Sequence, residues 1–155
     1  MSLTEFVEAM RSEVPRDRAR ARFAELPKQV WQEVIAADAE TQRLACESRK
    51  MPRWARYRLI ERGDSEVRLR IARQAEADGL ALARMRRDPD SRVRLAVARH
   101  PRAGLYVWEQ LAKDKHPQVA AEAQRQIAIG SDTSSIALRA LFRGCPIIRL
   151  INLFT

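Results

Sequence analysis

Apolar residues along this chain recur in pairs at helical spacing, and the pairs themselves return at a nearly constant interval. In GDSEVRLRIARQ (63–74), PDSRVRLAVARH (89–100) and HPQVAAEAQRQ (116–126), Val67, Val93 and Val119 are evenly spaced, each followed one helical turn on by Ile71, Val97 and Ala123. A weaker copy lies about one period earlier, with Gln42 and Cys46 in the two slots. A second kind of pair alternates with these: Trp31/Val34, Tyr57/Ile60, Leu82/Met85 and Trp108/Leu111. Pairs at i, i+4 and i, i+3 each lay one apolar stripe along a short helix, so each unit reads as a helical hairpin. Asp38, Asp64, Asp88, Asp90 and Asp114 precede the first helices, where a short carboxylate accepts orphan amide protons and meets the positive end of the helix dipole. Met51-Pro52, Asp78-Gly79 and Pro101-Arg102-Ala103-Gly104 interrupt the units midway. The pattern predicts helices near 3–14, 17–25, 28–37, 40–48, 53–62, 65–74, 79–87, 91–99, 104–113 and 117–128.

A hairpin of this size cannot bury its own stripe, so neighbouring units are expected to stack around a continuous core. The expected class is all-α, a solenoid of stacked short helix pairs with a period of about 26 residues, occupying 1–128 and clearest over 63–128. The stretch 129–155 reads as a separate segment. Gly130 and Ser131 to Ser135 suggest a polar hinge. Ala137, Leu138, Leu141, Phe142 and Cys145 then share one helical face, Gly144 and Pro146 stop that helix, and Ile147, Leu150, Ile151 and Phe154 outline another. This C-terminal amphipathic hairpin is expected to cap the last repeat or to mediate self-association.

The run VRLAVARHPRAGLYVWEQLAKDKHPQVAAEA (93–123) resembles the leucine-rich repeat variant, whose units read V-R-x-A-V-A-x-N-P and then L-x-x-L-A-x-D-P-D. Val93, Arg94, Ala96, Val97, Ala98, His100 (in the Asn position) and Pro101 match the first part; Trp108, Leu111, Ala112 and Asp114 match the second. The likeness is close over 63–126 and loose over 28–62. It implies a right-handed superhelix of paired helices, as in the related HEAT-like repeats. Some members of that family carry an iron–sulfur cluster on an N-terminal cysteine cluster. The first 45 positions here contain no cysteine, so no cofactor is expected.

Composition narrows the function. The 155 residues include 29 Lys+Arg against 20 Asp+Glu, a net charge of +9, and nearly all the positive charge is arginine. A GC-rich, bacterial-like genome produces the same Arg-for-Lys, Ala-rich bias, so charge alone does not prove a polyanionic partner. Glu5 and Glu8 fall where a secretory leader needs a basic and then an apolar stretch, and Arg139, Arg143 and Arg149 interrupt the C-terminal apolar run. A cytoplasmic protein with no membrane association is expected. Two cysteines and two histidines supply neither a disulfide framework nor a conventional zinc site. Cys46, in a core slot, reads as a small buried apolar residue. No phosphate loop, G-x-S-x-G, H-E-x-x-H or C-x-x-C occurs, so no catalytic residue and no enzyme is expected.

Arginine placement is the most specific hint. Arg43, Arg68 and Arg94 share one repeat slot; Asp64 and Asp90, one turn upstream of the last two, are expected to pair with them within each helix. Arg73, Arg99 and Arg125 share another slot with no such acid, and form the candidate partner ridge. Arg16, Arg18, Arg20 and Arg22 in PRDRARARF, and Arg53, Arg56 and Arg58 in KMPRWARYR, extend the candidate surface. Trp54, Tyr57 and Ile60 follow helical spacing, which turns the rings toward the core. The expected function is non-catalytic binding of a macromolecule, a protein first. The alternative is sequence-independent DNA or RNA binding through the arginine ridge. The remotest reading is a base-excision enzyme like the HEAT-like DNA glycosylases, none of whose catalytic residues maps onto a position here.

Overall fold

The computed structural model describes the backbone of residues 1–142 and the side chains of residues 1–130. Every element among the described residues is helical: α1 (Leu3–Arg11), α2 (Pro15–Phe23), α3 (Lys28–Ala36), α4 (Ala39–Ala45), α5 (Arg53–Arg62), α6 (Ser65–Ala72), α7 (Gly79–Met85), α8 (Ser91–Arg99), α9 (Leu105–Leu111) and α10 (Pro117–Phe142). None of them is long and apolar enough to cross a membrane. The helices α4, α6, α8 and α10 begin at positions 39, 65, 91 and 117, and α5, α7 and α9 at 53, 79 and 105.

Local chemistry sets these boundaries. Ser2 and Glu5 form a reciprocal capping box on α1. The carboxylates of Asp38, Asp64, Asp78 and Asp90 accept the N–H groups of Thr41, Val67, Ala81 and Arg92, capping α4, α6, α7 and α8. Gly104 starts α9 with φ +77°, a left-handed conformation that a side chain would strain. Gly63 ends α5 for a different reason: a Cβ there would lie 2.6 Å from the Leu59 carbonyl oxygen and 2.6 Å from Val67 Cγ1.

Contacts arrange the helices in two rows. In one row α4 packs on α6, α6 on α8 and α8 on α10; in the other α3 packs on α5 and α5 on α7. Between the rows lies one core. Val67, Ile71, Val93, Val97, Val119 and Ala123 enter it from the first row, and Trp31, Val34, Leu59, Leu82, Met85 and Leu111 from the second, all buried. Gln42 occupies a core slot as a polar residue, and its Nε2 donates to the carbonyls of Ile35 and Ala37 at 3.0 and 3.1 Å, so the burial leaves its amide donors satisfied.

The structure differs from expectation at the C-terminal side of the repeats. Helix α10 runs unbroken through Gly130 and the serine-rich stretch to Phe142, where the sequence predicts a hinge at 131–135. Ser, Asp and Thr cap a helix only where the chain enters one. Pro117 stands at the start of α10, and no proline follows within the helix to force an exit, so continued backbone hydrogen bonding outweighs the modest propensity cost of one glycine and a few short polar residues. The remainder of the expected hairpin, from position 143 on and including Cys145, lies outside the described residues, and with it the capping or self-association expected of that hairpin as a whole.

Candidate functional site

Arginines dominate the polar surface, and the fold sorts them into distinct settings. The first lies between successive helix pairs. Arg43, Arg68 and Arg94 each reach across to the unit that follows: Arg43 pairs with Asp64, Arg68 with Asp88 at 2.5 and 3.3 Å, and Arg94 with Asp114 at 2.7 and 2.9 Å. Arg68 also donates to the Gly63 carbonyl, and Arg94 to those of Asp88 and Pro89. Each of these two guanidiniums therefore ties its own entry turn to the next one. The expected pairs Asp64–Arg68 and Asp90–Arg94 do not form. An N-capping carboxylate is aimed along the helix at its first amides, and Asp90 spends its remaining capacity on Arg92 at 2.7 Å. Side-chain exposure falls along this series, from 39% for Arg43 to 18% for Arg68 and 6% for Arg94. The guanidiniums of Arg43 and Arg94 hold the carboxyls of Asp64 and Asp114 below the usual carboxylate range.

A second clasp joins the opposite ends of the same helices. Gln74 Nε2 donates to the Cys46 carbonyl, and one period on, His100 Nε2 lies 2.9 Å from the Gln74 carbonyl. The Arg102 amide donates to His100 Nδ1, so the buried ring is a neutral imidazole with its proton on Nε2. His100 is thus a turn fastener rather than a metal ligand; no cluster of metal-ligating residues occurs among the described residues. Burial pushes the Cys46 thiol up to about 12, which removes it as a nucleophile.

The second setting is a cleft of about 530 Å³ that runs along α8 beside the C-terminal end of α6, lined by Arg73, Arg92, Arg99 and Arg102 together with Ala72, Leu95 and Ala96 and by no acid, although Arg92 is itself paired with Asp90. Arg73 and Arg102 make no ion pair among the described residues, and Arg99 has only Glu122 at 3.8 Å. Arg73 and Arg99 of the expected ridge therefore come together. Arg125 does not extend the ridge as a free cation, because Glu122 lies 2.5 Å away, one turn earlier on α10. The i−4 spacing points to Ala121 and passes over this acid at i−3.

The remaining candidates scatter. Arg16, Arg18 and Arg20 lie on α2, with Arg18 donating to the Ser12 carbonyl at 2.8 Å; Arg22 pairs with Glu47 at 2.5 Å. Arg53 pairs with Asp78 at 3.0 Å and Arg58 with Glu61 at 3.3 Å. Arg56 is buried, donates to the Glu76 carbonyl at 2.9 Å, and has its pKa lowered by desolvation, so it is an internal fastener. Arg58 joins Lys28, Arg62 and Trp54 around a separate cleft between α3 and α5.

Trp54 departs from expectation: its neighbours Ile60 and Tyr57 are buried and half-buried, yet Trp54 is 36% exposed. It begins a series that periodicity could have revealed. Trp54, Leu80 and Tyr106 are evenly spaced along the chain, each the second residue of its helix, α5, α7 and α9, and all three are exposed. Arginines accompany them, with Arg84 over the Tyr57 ring at 4.7 Å and Arg86 over the Tyr106 ring at 5.5 Å. The chain matches no family model, no curated protein and no solved structure.

Proposed function

We propose that this chain is a right-handed α-solenoid with a period of about 26 residues, akin to the leucine-rich repeat variant and HEAT-like repeats it resembles, and that it acts as a non-catalytic, cytoplasmic scaffold binding a protein partner. The observation that carries this reading is the exposed series Trp54, Leu80 and Tyr106. The other periodic apolar positions are buried or half-buried, whereas this one is exposed in three successive units, and a periodic row of uncovered apolar side chains marks an interaction surface rather than random exposure. Trp, Tyr and Arg together are the residue types that dominate binding energy at protein interfaces.

A second reading, sequence-independent binding of DNA or RNA, draws on the cleft in which Trp54 stands among Lys28, Arg58 and Arg62. Against it, the candidate arginines divide between clefts that share no lining residue, and several are already neutralised. One experiment separates the two. The tagged chain and a Trp54→Ser/Leu80→Ser/Tyr106→Ser variant are used to capture partners from extract of the native cell, with and without nuclease. The protein reading expects a partner that survives nuclease and is lost with the variant. Capture abolished by nuclease, or unchanged in the variant, contradicts it.

A further inference from the structure

The row of first helices carries a second surface whose chemistry names the kind of ligand it takes. At the register position occupied by Arg73 and Arg99, the preceding unit has Glu47 and the following one Arg125. Glu47 is bracketed by Arg22 at 2.5 Å and Arg70 at 3.7 Å, and Arg125 is neutralised by Glu122. The basic cleft is therefore short. It lies between α6 and α8, about 10 Å apart at ordinary helix packing, and beyond it a carboxylate stands on either side, Glu47 after α4 and Glu122 on α10. Within it Arg92 and Arg99 lie two turns apart on α8, roughly 10 Å along the axis; Asp90 already holds Arg92, so the cations open to a ligand are Arg73, Arg102 and, with Glu122 at 3.8 Å, Arg99.

Each of these features selects against a long polyanion. A nucleic-acid strand presents a charge every few ångströms along its length and gains affinity from a continuous basic track, which Glu47 and Glu122 interrupt here. Stacking of bases needs an exposed aromatic platform; no Phe, Tyr or Trp lines the cleft, and the His100 ring is buried and held at the Gln74 carbonyl. The floor instead is aliphatic: Ala72, Leu95 and Ala96, the last two half-buried on α8. Small side chains at the floor leave a recess that one aliphatic side chain can fill, while planar guanidinium forks at the rim fit carboxylates in bidentate fashion.

We infer that this cleft binds a short acidic peptide segment, seating one aliphatic side chain against Leu95 and Ala96 between carboxylates held by Arg73, Arg99 and Arg102. Arg73 and Arg102 contribute most, because neither guanidinium has an ion-pair partner among the described residues to give up. This deepens the protein-binding reading by naming the partner's chemistry, and rests on it.

Fluorescence anisotropy on the full chain tests it. The probes are a labelled Asp/Glu peptide with one central Leu, the same peptide with Ser for Leu, and oligothymidylate of equal charge. The Leu peptide is expected to bind, roughly tenfold more tightly than the Ser peptide, the equivalent of burying one aliphatic side chain. Arg73→Gln/Arg102→Gln should weaken it by roughly tenfold or more, with an unchanged melting temperature. Lys113→Gln/Lys115→Gln, an equal loss of charge at exposed positions elsewhere, should leave binding as it was. Absence of binding at low salt, equal weakening by both double variants, equal affinity for the Leu and Ser peptides, or tighter binding of the oligonucleotide would each overturn the assignment. Failure here alongside nuclease-resistant, Trp54-dependent capture removes only this cleft; nuclease-sensitive capture removes the protein reading beneath it.

Discussion

Two sets of arginines on the same row of helices meet opposite fates. Arg68 and Arg94 lie in the first half of α6 and α8, and Arg43 in the last turn of the shorter α4; each finds an aspartate on the loop that opens the next helix pair. Arg73 and Arg99 stand at the C-terminal ends of α6 and α8, where the helix dipole favours a cation but no carboxylate faces them closely. An arginine that reaches the next pair's entry loop is thus consumed in holding neighbouring helices together. One at the helix end is stabilised in place while its guanidinium stays available. Composition counts both alike, and position decides which of them a partner can reach.

Breaking the interior set should have the largest effect. Arg94→Ala leaves Asp114 buried at 8% exposure without its partner, which should cost about 3–5 kcal/mol and lower the melting temperature by on the order of 10 °C. Arg99→Gln, farther along the same helix, should stay within about 0.5 kcal/mol of the parent. Urea denaturation of both variants checks the contrast, and equal losses would erase it.

Within the interior set, the effect should grade with burial. Arg43→Gln should destabilise less than Arg68→Gln, and Arg68→Gln less than Arg94→Gln, because solvent replaces the lost partner more readily at the exposed end. A reversed order of urea midpoints would show that burial is not what sets the strength of these clasps.

Acid should act through the same carboxylates. The folded-state pKa values of Asp64 and Asp114 are depressed, chiefly by their hydrogen bonds from Arg43 and Arg94. The unfolded chain therefore binds more protons in the window between those values and the ordinary carboxylate value of about 4. Stability from these pairs is complete above that ordinary value and is lost as pH falls through the window. Urea midpoints at neutral and acidic pH should diverge accordingly, and Asp114→Asn should flatten the profile. An unaltered profile in that variant would remove Asp114 from the account.

Helix existence was readable because each unit repeats its apolar spacing with Asp at the start and Gly or Pro at the breaks, and even the starts at Arg53 and Ser65 follow from Pro52 and Asp64. Ion pairing was not readable in the same way. Asp64 and Arg68 have ideal helical spacing, yet capping geometry turns that carboxylate to the Val67 amide and across to Arg43. The available signal was the recurring Arg-to-Asp interval, the same in Arg68/Asp88 as in Arg94/Asp114. Trp54 was obscured similarly: spacing to Tyr57 and Ile60 pointed inward, while the interval to Leu80 and Tyr106 pointed to a shared exposed slot. Local spacing identified the elements, whereas relations between units needed the period itself.

The division between interior and exterior arginines can be read in one spectrum. Arginine Nε–Hε correlations of the labelled chain, recorded with and without the acidic Leu peptide, should show Arg68 and Arg94 protected from solvent exchange and unmoved by the peptide. Arg73 and Arg99 should exchange rapidly and shift when it is added. Rapid exchange at Arg94, or peptide-induced shifts at Arg68 and Arg94 with none at Arg73 and Arg99, would contradict the account.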